Sequence, residues 1–593
     1  MFSKIKFERA LTFESQGRAA EAERLYRELL VDDPKMPQPA DRLGALALGR
    51  ADAAAALTWF ERALTIDPGF TPARVNLGLA LQQLKRRPEA RAAFEAAALR
   101  APRYAPAHQM LGLFLWDGGD FAAAAQSLGR AMALDPAFSS AFQNDQIGRL
   151  SNCDWRGYDE AAALATRLVR GAVANIDPIA FMYASNLAAD HCASGRLAGR
   201  RYPAMPPLEK RRTRRPGKIR LGYLASDFYD HAVAHAIIGV LEHHDRDQFE
   251  LTAFSYCPAY PSPIRDRVVA AFDTFLNIKD FDDASIARLI HEREIDVLVN
   301  LSGYAYRARP QILSWRPAPV QVSYLGFPGS MGAPFVDYLI ADRIVIPPPE
   351  TRLYSEKIAW MPHCYHPTDD TTFRGPPVST RQAEGLPDEA IVLMAYNQPG
   401  KIAPQMFAAW MNVLRRVPKA VLWLADGGEA ACGNLGREAV AAGIDPTRLV
   451  FAPRLSSREA HLARHHLADL FIDTLPYNAH TTASDALWFG LPVVTCRGGA
   501  FPGRVCASLL TAAGFPELVC ENLEDYEALI VDLAEDPARL ATLRARVSEA
   551  APKSPLFDTT QYTRDLEAAY RAMHARSQSA SAPKGFDVAA LDR

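Results

Sequence analysis

The chain has 593 residues, 49% of them hydrophobic and 23% charged, the balance of an ordinary globular protein of about four domains. Its 66 Lys+Arg against 68 Asp+Glu leave a net charge of −2, so no global basic field draws nucleic acid or an anionic membrane. The apolar runs, such as Ile391 to Tyr396 and Pro492 to Cys496, fall far short of the roughly 20 residues of a membrane span. The start, MFSKIKFERALTF, shows neither the apolar core nor the cleavage site of a secretory signal. Eight scattered cysteines without metal-ligand spacing read as reduced thiols, so a cytoplasmic protein is expected.

The N-terminal quarter is periodic. Pro34, Pro68, Pro102 and Pro136 recur every 34 residues, as do Ala10, Gly44, Gly78 and Gly112. Ala22, Ala56, Ala90 and Ala124 share that interval, and so do Tyr26, Phe60, Phe94 and Leu128. The pattern resembles the tetratricopeptide repeat, with about four units over residues 1–138. Small residues belong where two helices of a unit cross. The large residue is expected to fill the groove to the next unit, and the proline to end the second helix.

Residues 139–215 read as a helical segment and linker, closing on the basic stretch KRRTRRPGK (210–218). No aromatic residues interleave with those charges, so a solvated linker is expected rather than a nucleic-acid patch.

Beyond Lys218, short β-branched runs alternate with helical stretches, the pattern of parallel sheets with crossover helices. One set is 219–226, 250–256, 295–303, 320–329 and 336–342; another is 390–398, 420–426, 448–453, 469–475 and 492–496. The expected fold is an α-helical solenoid followed by two Rossmann-like α/β domains, over 216–375 and 376–574, facing each other across a cleft. The Ser/Ala-rich residues 575–593 read as a disordered tail. Neither GxGxxG nor GxxxxGK[ST] occurs, and Asp245-Arg246-Asp247 sits in a polar connector that reads as a surface turn rather than a metal site.

Ligands of such sheets sit at the carboxyl ends of the strands. After 390–398 come Gln398 and PGK, placing Lys401 at a strand end; only 12 of the 66 basic residues are lysines, so this one stands out. After 469–475 comes PYNAHTTASD, placing His480, Thr481, Thr482 and Asp485 at a helix start. That is an anion site facing a lysine, although N-capping by a hydroxyl would by itself account for HTTASD.

Together with NCDWRGYDE (152–160), IRLGYLASDFYDHAVAH (219–235), RPAPVQVSYLGFPGSMG (316–332), NQPGKIAP (397–404), NAHTTASDALWFG (478–490) and SPLFDTTQYTRDLE (554–567), these segments resemble the O-linked N-acetylglucosamine transferases and SPINDLY-type proteins of glycosyltransferase family 41. The resemblance covers about residues 150–572, with the repeats upstream in the expected order. It implies a GT-B fold, a nucleotide-sugar donor, inversion at the anomeric carbon and no metal or other cofactor. It assigns Lys401 and Gln398 to the donor diphosphate, with Thr481, Thr482 and His480 beside it. Asp485 falls to the ribose, Arg458, His461 and Arg464 to the uridine, and Leu325, Gly326 and Pro328 to the sugar pocket. His231 matches a histidine proposed as general base, with acceptor positioning as the other role. His235 could share that helix face, although a buried structural histidine is its plainer reading, and His291 matches a further pocket histidine.

Two departures stand out. Tyr477 replaces a cysteine of the animal enzymes in the sugar pocket, and the column matching their asparagine ladder reads Glu8, Arg42, Asn76 and Met110. The expected activity is transfer of N-acetylglucosamine from its UDP donor to Ser or Thr of proteins held in the repeat groove, without nucleic acid or membrane partners and with homodimerisation left open. The alternatives are a GDP-fucose enzyme or an Asn N-glycosyltransferase of the same fold, or a non-catalytic repeat scaffold.

Overall fold

A computed structural model describes residues 2–174, 176–206, 208, 217–257 and 260–590. The chain divides into two compact units, 1–142 with 156–174, and 143–155 with 175–593.

In the first unit eight helices form four antiparallel pairs, from Phe2–Ser15 and Ala19–Asp32 to Ala105–Asp117 and Phe121–Leu134. Each second helix stops two residues before its periodic proline, as the ring's missing N–H requires. The glycine column explains the pairing. A Cβ on Gly44 would lie 2.4 Å from the Phe60 ring, and one on Gly78 2.6 Å from that of Phe94. The large residue thus packs on the small residue of its own unit and also reaches the next one, the Phe94 ring lying 5.4 Å from that of Phe114. Two members of the column that matches the asparagine ladder are engaged internally: Arg42 bonds Glu14, and Asn76 donates to Asp41 at 2.8 Å. The solenoid does not end at 138. Tyr158–Arg170 packs on Phe121–Leu134, with Leu164 and Leu168 buried.

The second unit begins earlier than the sequence suggests. Helix Ala188–Gly199 belongs to it, because Gly195 and Gly199 press on the backbone of Ser330 and Gly332, where a Cβ would meet carbonyl oxygens at 2.1 and 2.8 Å. Residues 209–216, most of the basic linker, lie outside the described residues.

The first sheet holds β1 (Ile219–Ala225), β2 (Phe249–Ser255), β3 (Thr274–Asn277), β4 (Val297–Asn300), β5 (Val320–Ser323), β6 (Tyr338–Ala341) and β7 (Lys357–Trp360). The second holds β8 (Ile391–Ala395), β9 (Ala420–Ala425), β10 (Leu449–Ala452), β11 (Leu470–Ile472), β12 (Val493–Cys496) and β13 (Val519–Cys520). A last strand, β14 (Phe586–Asp587), returns to the first sheet beside β7. All pairings are parallel, in the orders β14-β7-β6-β5-β4-β1-β2-β3 and β10-β9-β8-β11-β12-β13. The central strands β1, β4, β5 and β8 are almost wholly buried, as parallel strands covered on both faces must be.

The C-terminal region departs from expectation. Helix Thr559–Gln578 crosses back to the first sheet: Tyr562 Oη lies 2.6 Å from Tyr324 Oη, and His244 Nδ1 2.9 Å from Glu567. The described residues past 575 continue that helix and then form β14, so this stretch is ordered by the sheet edge it caps. Asp245-Arg246-Asp247 is the surface turn its polarity suggests, with Arg246 bonded to Asp273 at 2.9 Å.

Candidate active site

Both sheets read 3-2-1-4-5-6 from one edge, so each has a crevice where the order reverses, between β1 and β4 and between β8 and β11. In the second sheet the chain leaves β8 through Asn397 and Gln398 into the single turn Pro399–Lys401, and leaves β11 through Asp473 to His480 and helix Thr481–Trp488. Strand adjacency joins the two. Lys401 Nζ donates to the Asn478 carbonyl at 2.9 Å and lies 4.2 Å from the centre of the Tyr477 ring. Tyr477 is stacked on Tyr183 (5.5 Å, 19°) and on His480 (4.9 Å, 24°). Three rings and an ammonium therefore form one layered wall at the helix start.

The electrostatics follow from that layering. Burial lowers Lys401 to about 8, opposed by the charge of Asp473. His480, buried beside Lys401, is held well below its ordinary value and is neutral; its Nε2 lies 3.2 Å from the Pro502 carbonyl and therefore carries the proton. His480 occupies the N-cap without a side-chain cap bond, and the first intrahelical bonds come from Ala483 and Ser484. Hydroxyl N-capping thus does not account for HTTASD: the N–H groups and hydroxyls of Thr481 and Thr482 open the helix toward an anion. Gln398 is exposed at the start of the lysine turn.

The next element outward is helix Arg458–Ala463, after β10. Arg458 bonds Asp485 at 3.1 Å, which ties it to the anion-site helix. His461 lies parallel to Tyr396 (5.6 Å, 22°) and is lowered to about 4 by burial, with Arg458 and Arg464 adding to the effect. It is a neutral aromatic plane. Arg464 does not share that face. The helix ends at Ala463, and Arg464 begins a tighter turn in which its guanidinium is 3% exposed, paired with Glu384 at 2.8 Å and bonded to the Pro453 carbonyl at 2.7 Å. It braces the wall behind His461.

In the first sheet, the loop after β1 carries His231 into the N-cap of helix Ala232–His243, where Nδ1 accepts from Val233 N–H at 3.2 Å. A backbone N–H can only donate, so the Nδ1 lone pair is engaged and neutral His231 carries its proton on Nε2. That nitrogen is a donor, which suits positioning better than proton abstraction. His235 is not a core histidine. Half-buried, with Nε2 2.7 Å from Asp230, it lines a cavity with Arg458, Thr481 and Asp485 of the other sheet's helices. A wider space of about 360 Å³ continues past Arg458 to Arg267 and Phe373.

Leu325, Gly326 and Pro328 follow β5. Leu325 has φ +69, and a Cβ on Gly326 would meet the Leu301 carbonyl at 2.1 Å, so this loop is pressed onto the end of β4. His291 is placed elsewhere. It sits in the last turn of helix Asp283–Glu292, which feeds the amino end of β4, the edge of a parallel sheet opposite the crevice. It is therefore not a pocket residue.

Four contributors escape sequence reading: Tyr183, Tyr396, Glu384 and Asp473. Three of them act as partners of flagged side chains from distant segments. Only Asp473 had a local sign, a carboxylate in the apolar run DLFIDTL. Among the described residues no cluster of three or more His, Cys, Asp or Glu side chains is arranged to hold a metal ion.

The tetratricopeptide repeat models match residues 45–113 and 105–138. Among curated proteins, a "Probable UDP-N-acetylglucosamine--peptide N-acetylglucosaminyltransferase SEC" of Arabidopsis thaliana is 32% identical over 70% of this chain and 43% of its own length. A rice protein with the same descriptive name, SPINDLY, is 30% identical over 61% of this chain and 40% of its length. The chain thus spans less than half the length of these relatives. Among solved structures, a mutant of the Thermobaculum terrenum O-GlcNAc transferase aligns over 93% of this chain and 99% of that one, with TM-score 0.62 and 27% identity. The family model for glycosyl transferase family 41 matches residues 202–373 and 367–566, well over half of the chain, so the protein belongs to glycosyl transferase family 41.

Proposed function

We propose that the chain transfers N-acetylglucosamine from a UDP donor to Ser or Thr hydroxyls of proteins, with inversion and without a metal. One observation carries this reading: the Lys401 ammonium lies against the uncapped start of helix Thr481–Trp488, at the switch point of the second sheet. A diphosphate there meets a cation, two hydroxyls and helix N–H groups. The acceptor oxygen attacks the anomeric carbon as the bond to the phosphate oxygen breaks. The bonding pair leaves with the diphosphate, and the hydroxyl proton is lost to solvent or phosphate. Lys401 stabilises the departing charge, His231 donates from Nε2 to orient a reactant, and the plane of Tyr396 and His461 receives the base. The names of the Arabidopsis, rice and Thermobaculum relatives support the sugar and the protein acceptor.

Intact-mass analysis of co-expressed acceptors, with UDP, GDP and ADP competing for the donor site, tests this. UDP should compete best, and Lys401→Ala should cut transfer on the order of 10²–10³-fold. Stronger competition by GDP would assign the donor to GDP-fucose; a folded Lys401→Ala variant retaining more than about a tenth of the rate would remove the lysine from the mechanism.

A further inference from the structure

We infer that Asp473, a residue with no place in the anion-site motif, is the fixed counter-ion that keeps the Lys401 side chain positioned and charged. The inference rests on the role proposed above for Lys401.

The geometry is a relay through one peptide group. Lys401 Nζ donates to the carbonyl oxygen of Asn478 at 2.9 Å, and the N–H of the same peptide, on Ala479, donates to Asp473 Oδ1 at 2.6 Å. Cation and carboxylate polarise this amide in the same sense, so each strengthens the other's bond. Asp473 sits at the end of β11 and is 1% exposed. Its Oδ1 also accepts from its neighbour's N–H on Thr474 at 2.7 Å, and Oδ2 accepts from Thr495 Oγ1 at 2.7 Å. Asn397 Nδ2, beyond β8, lies 3.5 Å from Oδ1, and the Cys506 thiol packs against the carboxylate. Tyr526 Oη bonds the Asp473 carbonyl at 2.9 Å.

A carboxylate this buried persists only where a positive charge or several donors stabilise it. Apart from Lys401, the groups facing it are neutral: Thr474, Ala479, Thr495, Asn397, Cys506 and Tyr526. The groups facing Lys401 are Tyr477, His480, Cys506 and Asp473; the thiol and the tyrosine are held protonated and the histidine neutral, all by burial. Asp473 is thus the anion in this set. Burial raises Asp473 to about 6 and lowers Lys401 to about 8, which leaves both charged between those values.

The sign of the effect follows. Desolvation pulls the lysine down and Asp473 pushes it back up, so neutralising Asp473 lowers the lysine further. Asp473→Asn keeps an oxygen for the N–H groups of Thr474 and Ala479 and presents an amide to Thr495, which can accept. A purely structural carboxylate would therefore be replaced with little consequence.

The test measures Lys401 titration directly, by the pH dependence of its acetylation rate followed by peptide mass spectrometry on the full-length protein without donor. In Asp473→Asn the inflection should fall by at least one pH unit from about 8; a one-unit fall raises the neutral fraction at pH 7 about fivefold. The alkaline limb of the transfer rate should move down by the same amount. An unchanged inflection overturns the inference, whatever the transfer assay shows. A shifted inflection with transfer that ignores Lys401→Ala would instead uphold the pairing and fail the proposed function. Should Asp473→Asn not fold, Asp473→Ser removes the same charge while leaving a hydroxyl oxygen for the N–H groups of Thr474 and Ala479. The Lys401 inflection should again fall by about one pH unit, and an inflection that stays put overturns the inference by this route.

Discussion

At the scale of single residues, hydrogen-bond direction decides roles that residue type leaves open. His231 is of the residue type that most often serves as a general base, yet its Nδ1 is spent on the N-cap of helix Ala232–His243. Two separable losses are therefore expected. His231→Ala removes both the cap and the Nε2 donor, so it should lower stability by about 1 kcal/mol as well as transfer. His231→Asn restores a capping acceptor and should recover the stability without the activity. Urea denaturation of both variants beside the transfer assay checks this; equal destabilisation by Asn and Ala would show that the cap is not what His231 supplies. Arg464 teaches the same lesson. Its charge and spacing suit a nucleoside contact, but Glu384, 80 positions away in sequence, holds its guanidinium.

At the scale of elements, the repeats are decided by a pairing of small with large. Phe94 is fully buried with its ring against Gly78. Phe94→Ala should cost about 3–5 kcal/mol within the solenoid, since it both loses buried area and leaves a cavity between two helices. Hydrogen exchange should register faster opening of helices Thr71–Gln83 and Arg87–Arg100, with β8 to β12 unaffected. Equal acceleration in both units would contradict the division of the chain into two compact units. Among strands, those of the crevices were legible from their apolar runs. The missed ones, β3, β7, β13 and β14, are short or half-exposed and lie toward the sheet edges, where burial leaves no continuous hydrophobic signal.

At the scale of the whole molecule, the two units interleave along the chain. Residues 143–155 belong to the sheet-bearing unit, where Trp155 packs on Phe407 and Cys153 reaches the Pro399 carbonyl, two residues from Lys401. Residues 156–174 then return to the solenoid. A cut at 138 is therefore not clean: it strips Phe121–Leu134 from helix Tyr158–Arg170 and uncovers Leu164 and Leu168. The chain lacking 1–138 should still bind UDP by calorimetry but self-associate in light scattering. A monodisperse truncated protein would mean that the helix finds other cover, and loss of UDP binding in a folded one would mean that the donor site depends on the repeats.

The amino-acid sequence by itself determined what depends on local pattern. The 34-residue period, the alternation of strands and helices, and the lysine turn and HTT helix start were all readable, because each rests on spacing within one element or turn. Only the tertiary structure decided what depends on which elements lie side by side. Strand order sets Lys401 beside Asn478, and strand direction puts His291 at the amino end of β4, away from the crevice. The packing of residues 176–206 stacks Tyr183 on Tyr477, 294 positions on, and the return of the last helix closes Tyr562 on Tyr324. Such contacts join segments whose separation in sequence carries no periodic trace, so burial and hydrogen bonding select them only once the sheets have formed.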